Sequence, residues 1–153
     1  MKFENLTHDE LDELLMEKLI YDNEELSPIL KGHLFIEGVL ETLITRCLPN
    51  PDSIFKNQLS FKMKLDLAKS LNLLDDKHVS AFKAINRIRN NYAHDWNYQV
   101  SFEDLTGFKF DWEAIQVEAY EGACTKGVSE ASRIATIFLC WKATLLIEQP
   151  EAQ

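Results

Sequence analysis

The chain has 153 residues, 46% of them hydrophobic, and sets 25 acidic side chains against 16 basic ones for a formal net charge of −9. That length suits one domain with a buried core, five glycines and four prolines are too few for a turn-rich β architecture or a disordered chain, and the acidic total argues against generic nucleic-acid binding. No run approaches the roughly 18 apolar residues of a membrane span, Met1-Lys2-Phe3-Glu4 lacks the apolar stretch of a secretory signal, and Cys47, Cys124 and Cys140 are widely spaced, as suits a reducing compartment, with no metal-ligand pattern. The expectation is a cytoplasmic protein without membrane contact, metal or other cofactor.

The first predicted helix, over 7–22, is acidic. Thr7-His8-Asp9-Glu10 has the capping-box form, and Leu11, Leu14, Leu15 and Leu19 make its apolar stripe. Ser27-Pro28 opens a second helix, with proline at the tolerated first position. Its apolar face reads Leu30, Leu34, Leu40, Leu43, Ile44 and Cys47, and Pro49 and Pro51 stop it. Leu59, Phe61, Met63, Leu65 and Leu67 alternate as a strand would. The segment is nevertheless lysine-rich, poor in β-branched residues and continued by Ala68 and Leu71, so a helix is expected, ended by a left-handed Asn72.

A fourth helix starts near Asp75 or Asp76 and carries Val79, Phe82, Ile85, Ile88 and Tyr92. A polar connector then runs from about 97 to 125, with a short helix near 111–120. Its aromatics, Trp96, Tyr98, Phe102, Phe108, Phe110 and Trp112, pin it to the bundle or stack on bases. The last helix, about 128–148, places Ala131, Ile134, Phe138, Trp141 and Leu145 at helical spacing, with Pro150 beyond. Long helices with mostly short connections predict a single all-α domain over 1–153, an antiparallel bundle of about five helices with its core over roughly 27–148.

Charge is unevenly spread. Lys56, Lys62, Lys64, Lys69, Lys77, Lys83, Arg87 and Arg89 face only Asp66, Asp75 and Asp76 within 54–89, whereas both ends of the chain are acidic. The basic stretch is either a set of solvated helix faces or a local phosphate-attracting patch. It runs into Arg89-Asn90-Asn91-Tyr92-Ala93-His94.

That segment resembles the R-x4-6-H signature of the HEPN superfamily, in which a polar residue such as Asn90 often follows the arginine. Gly32-His33-Leu34-Phe35-Ile36-Glu37, Lys64-Leu65-Asp66-Leu67-Ala68 and Ser101-Phe102-Glu103-Asp104 add a likeness to the mannitol-operon-repressor (MltR) family and to related domains with an R-N-x-F-A-H core. The likeness spans about residues 27–148. It implies a HEPN-like bundle, a homodimer with a composite site, and metal-independent RNA cleavage as in an endoribonuclease or a toxin- or defence-related relative. Arg89 would stabilise phosphate, His94 would move the proton, and Asn90 would assist. Glu37, Glu41, Tyr92 and Asp95 would support them.

The chemistry suits the residue types. Attack by a ribose 2′-hydroxyl needs a proton shuttle, for which histidine is fitted. Charge growing on the phosphate oxygens is met by a planar guanidinium. On a continuous helix Arg89 and His94 lie roughly 140° apart, and Arg89 shares the angular position of Phe82 and Ile85. One compact site therefore needs a helix end near His94, a long arginine reach or a second subunit. The competing reading has Arg89 buried against Glu37 or Glu41, with His94 favourably placed at a helix C-terminus. The protein would then be a non-catalytic MltR-like transcriptional regulator acting through protein contacts with a regulator or antitoxin partner, or a helical scaffold subunit. His33 and Glu37, four apart, form a weaker metal-ligand pair lacking a third ligand.

Overall fold

In a computed structural model, residues 3–17, 28–95 and 98–148 are described. They form α1 (His8–Met16), α2 (Pro28–Cys47), α3 (Asp52–Phe55), α4 (Phe61–Ser70), α5 (Asp76–His94), α6 (Phe102–Leu105), α7 (Ala114–Lys126) and α8 (Val128–Glu148), with a 3₁₀ turn at Thr106–Phe108. Among these residues there is no strand, so the chain is an all-α helical bundle. No helix among them is long and apolar enough to cross a membrane. Ser27, Leu19, Trp96, Pro150 and the second half of the predicted 7–22 helix lie outside the described residues.

Local chemistry sets the helix ends. The Thr7 hydroxyl accepts from the Glu10 amide while the Glu10 carboxylate accepts from the Thr7 amide, a reciprocal cap. Ser60 caps α4 through the Met63 amide, and Asp75 caps α5 through the His78 amide. Asn72 takes the left-handed conformation at φ 58°. Its amide donates to the Lys69 carbonyl, and that of Leu73 donates to Ala68, which is how a chain leaves an α-helix through a left-handed residue. The alternation over 59–67 thus belongs to a helix.

The core is shared by α1, α2, α4, α5 and α8. The two longest helices, α2 and α8, cross closely at Gly32, where a Cβ would strike Thr136 Cγ2. Arg46 near the end of α2 donates to the Ile147 carbonyl near the end of α8 at 2.7 Å. The two helices therefore advance in the same sense, which the long intervening chain permits. By contrast, α7 and α8 fold back on each other at Gly127, whose φ of +122° suits glycine.

Two predicted faces are met only in part. In α8, Phe138 is buried, Ile134 and Trp141 are half-buried, and Leu145 is 48% exposed. Ala131 is buried as expected, and the core side is otherwise lined by Ala135, Leu139, Cys140, Ala143 and Ile147. With α1, α2, α6 and α7 all packed on α8, small residues turn inward where helices approach closely, and a search for large apolar residues misplaces the seam. In α2, Leu40, Leu43 and Ile44 are buried as expected and Leu30 is half-buried, but Leu34 and Cys47 are exposed, and Ile29, Phe35, Ile36 and Val39 are buried as well.

The connector after α5 is more ordered than expected. Phe108 is fully buried, and Trp112 meets Phe138 and Tyr120 edge-on at 5.3 Å each. Those two rings pin the segment to the bundle, while Phe102 stays 45% exposed.

Candidate functional site

α5 is continuous from its Asp75 cap to His94. Its inward face, Val79, Phe82, Ile85 and Ile88, is buried, and Ile88 is the last fully buried residue on it. Beyond Ile88, Arg89, Ala93 and His94 are exposed, while Asn90, Asn91 and Tyr92 are half-buried, Tyr92 still packed against the core. Arg89 thus reaches solvent although it shares the angular position of the buried Phe82. Its Nη1 donates to Asn90 Oδ1 at 3.3 Å.

The helix ends at His94. The Asp95 amide still donates to the Asn91 carbonyl at 2.9 Å, but Asp95 itself is extended, and its carbonyl accepts from the Tyr98 amide. Tyr92 and Tyr98 meet edge-on at 4.9 Å, and the Val100 amide donates to the Tyr92 hydroxyl. The Tyr98 hydroxyl donates to Asp104 at 2.9 Å, and Asp104 also accepts from the amide and hydroxyl of Ser101. Burial and the Asp104 carboxylate push the Tyr98 hydroxyl up to about 12, so it stays a donor. Tyr92 thus supports the segment after the helix, not Arg89.

Glu37 and Glu41 do not meet Arg89. Both face Lys64 of α4, whose ammonium lies 2.7 Å from Glu41 and 3.5 Å from Glu37, and Lys64 is itself buried. A buried ammonium requires carboxylate partners, and α4 docks where α2 supplies them. The reading in which Arg89 is a buried partner of Glu37 or Glu41 is therefore set aside.

His33 and Glu37 are likewise not free to act together on a metal. The buried His33 ring stacks on Phe61 at 4.2 Å, and its Nε2 donates to Asn86 Oδ1 at 2.9 Å. Burial lowers its pKa first, and the positive charges of Arg89 and Lys64 act in the same direction against Asn86 and Glu37. Asn86 escaped notice in the sequence. Its signal was a polar side chain one helical turn before Arg89 and Asn90 on a helix with an otherwise apolar inner arc.

Within one subunit, then, Arg89 and Asn90 touch, and His94 stands about 1.4 turns beyond Arg89, roughly 140° around the axis. No protein-family profile, curated protein or solved structure matches this chain.

Proposed function

We propose that the protein is an RNA-directed, HEPN-type domain that cleaves RNA without a metal, with its site built where the ends of two α5 helices meet across a homodimer. The observation that carries this reading is that Arg89, Asn90 and His94 sit on the exposed end of a well-packed helix with no carboxylate partner among the described residues. A charged and hydrogen-bonding set that does nothing for the core is available for chemistry.

In this reading the Arg89 guanidinium binds the scissile phosphate and offsets charge that builds on its oxygens. Asn90 holds the arginine fork. His94 takes the proton from the 2′-hydroxyl or gives one to the departing 5′-oxygen. The P–O5′ bond breaks as the 2′-oxygen attacks, leaving a 2′,3′-cyclic phosphate and a 5′-hydroxyl. The angular separation of Arg89 and His94 makes a second copy useful, since its His94 would complete the site.

Mixed dimers test this arrangement. Subunits carrying Arg89→Lys and subunits carrying His94→Ala are each expected to be inactive alone, because lysine loses the planar fork. Mixing them should restore part of the wild-type cleavage. Wild-type protein that leaves varied RNAs intact would refute the reading. A second reading, a non-catalytic MltR-like regulator, gains from the failure of Arg89 and His94 to converge within one subunit, and it predicts a chain with no RNA cleavage at any concentration.

A further inference from the structure

Resting on the RNA-directed reading, we propose that the outer face of α5 is a track for the phosphates of a single RNA strand, leading through Lys83 and Arg87 to His94. These residues fall on one stripe. Taking about 100° per residue, Lys83, Arg87, Asn90 and His94 lie within an arc of roughly 60°, along about 16 Å of helix. Lys83, Arg87 and His94 are exposed, and Asn90 is half-exposed.

Cations without an ion-pair partner cluster on α5. Elsewhere most basic groups are engaged, Lys62 with Asp66, Lys64 with Glu41, Lys69 with Asp76 and Lys77 with Asp111, while Lys56 and Lys126 are exposed singly on separate segments. Arg46 and Lys142 donate to backbone carbonyls, and Lys109 stands 4.1 Å over the Tyr120 ring. Lys83, Arg87 and Arg89 of α5 have no ion-pair partner among the described residues.

Acids stand nearby, and the charges of Lys83 and Arg87 act through space on Asp66 and Asp104 respectively without a direct ion pair. Asp66 is held by Lys62, Asp76 by Lys69, and Asp104 by Tyr98 and Ser101. In a protein with nine more acids than bases, unpaired cations concentrated on one helix leave a local positive field on a negative molecule. Such a field attracts a polyanion to that face and repels it from the rest. A strand seated there would reach His94 at the end of the helix, which gives the stripe a direction as well as a sign.

The test separates binding from cleavage by using a labelled 2′-O-methyl RNA oligonucleotide, which lacks the attacking hydroxyl. Its affinity is measured by anisotropy across a salt series. Each single-strand phosphate contact contributes about 0.7 to the slope of log K against log salt. The double variant Lys83→Gln/Arg87→Gln is therefore expected to lose about 1.4 from the wild-type slope. Lys56→Gln/Lys126→Gln makes the same change in net charge at exposed cations on other elements, and should retain the wild-type slope. Equal slope loss in both variants, no binding by the wild type, or displacement of the oligonucleotide by polyglutamate as readily as by unlabelled RNA would overturn the proposal. Cleavage of unmodified RNA is scored separately. Binding with the expected slope but no cleavage overturns the nuclease reading and leaves the track. Cleavage with no slope difference overturns the track and leaves the nuclease.

Discussion

Arg89 is exposed, and among the described residues its side chain hydrogen-bonds Asn90. Arg89→Ala should therefore change stability by less than about 0.5 kcal/mol, as exposed substitutions do; calorimetry checks this. Lys64 is the opposite case. Lys64→Ala would leave Glu41 and Glu37 facing each other at the α2–α4 contact, and losing a hydrogen bond between charged groups costs about 1.5–3 kcal/mol. A denaturation midpoint unchanged by Lys64→Ala would contradict this assignment. Nothing in the local sequence distinguishes Lys64 from Lys62, which pairs with Asp66 on the surface. Only the docking of α4 on α2 does, so the partner of Glu37 and Glu41 was not legible beforehand. His33 adds a pH dependence. Burial holds its pKa below the ordinary 6.5, so as the pH falls through that region the unfolded chain takes up the proton first. The folded state is favoured above about pH 6.5 and loses stability as the pH drops toward the folded value. Urea midpoints at pH 7.5 and 5.5 should fall further for the wild type than for His33→Gln. The depressed carboxyls of Asp66, Asp75 and Asp104 act below this window.

Helices whose signals are local were legible. The Thr7, Asp75 and Asn72 boundaries each rest on a side chain or backbone conformation within four residues of the helix end, and α8 spans the expected 128–148. What escaped depends on neighbours. α3 and α6 have four residues each, too few for a period to show. The seam of α8 follows small residues because α2 comes within contact at Gly32. Gly32→Ala should accordingly destabilise the protein by about 1–3 kcal/mol through overpacking against Thr136. On α8 the costs should divide by burial. Phe138→Ala is expected to cost about 3–5 kcal/mol, and Leu145→Ala less than about 1 kcal/mol. Equal losses for the two would place the seam back on the face that the large apolar residues suggested.

At the scale of the molecule, an acidic protein presents an exposed helix end bearing Arg89, Asn90 and His94. The all-α architecture was legible from helical spacing and the scarcity of glycine and proline. The candidate residues were legible as a motif, but their exposure was not, because Arg89 shares the angular position of the buried Phe82. In the proposed function this helix end serves chemistry and not the fold. RNA cleavage in EDTA, with melting curves alongside, measured for the wild type, Arg89→Ala and His94→Ala, tests that most directly. The wild type should release 2′,3′-cyclic phosphate ends, and both variants should lose cleavage while keeping the wild-type melting temperature. An inactive wild type, or variants that lose activity only as they lose stability, would contradict it.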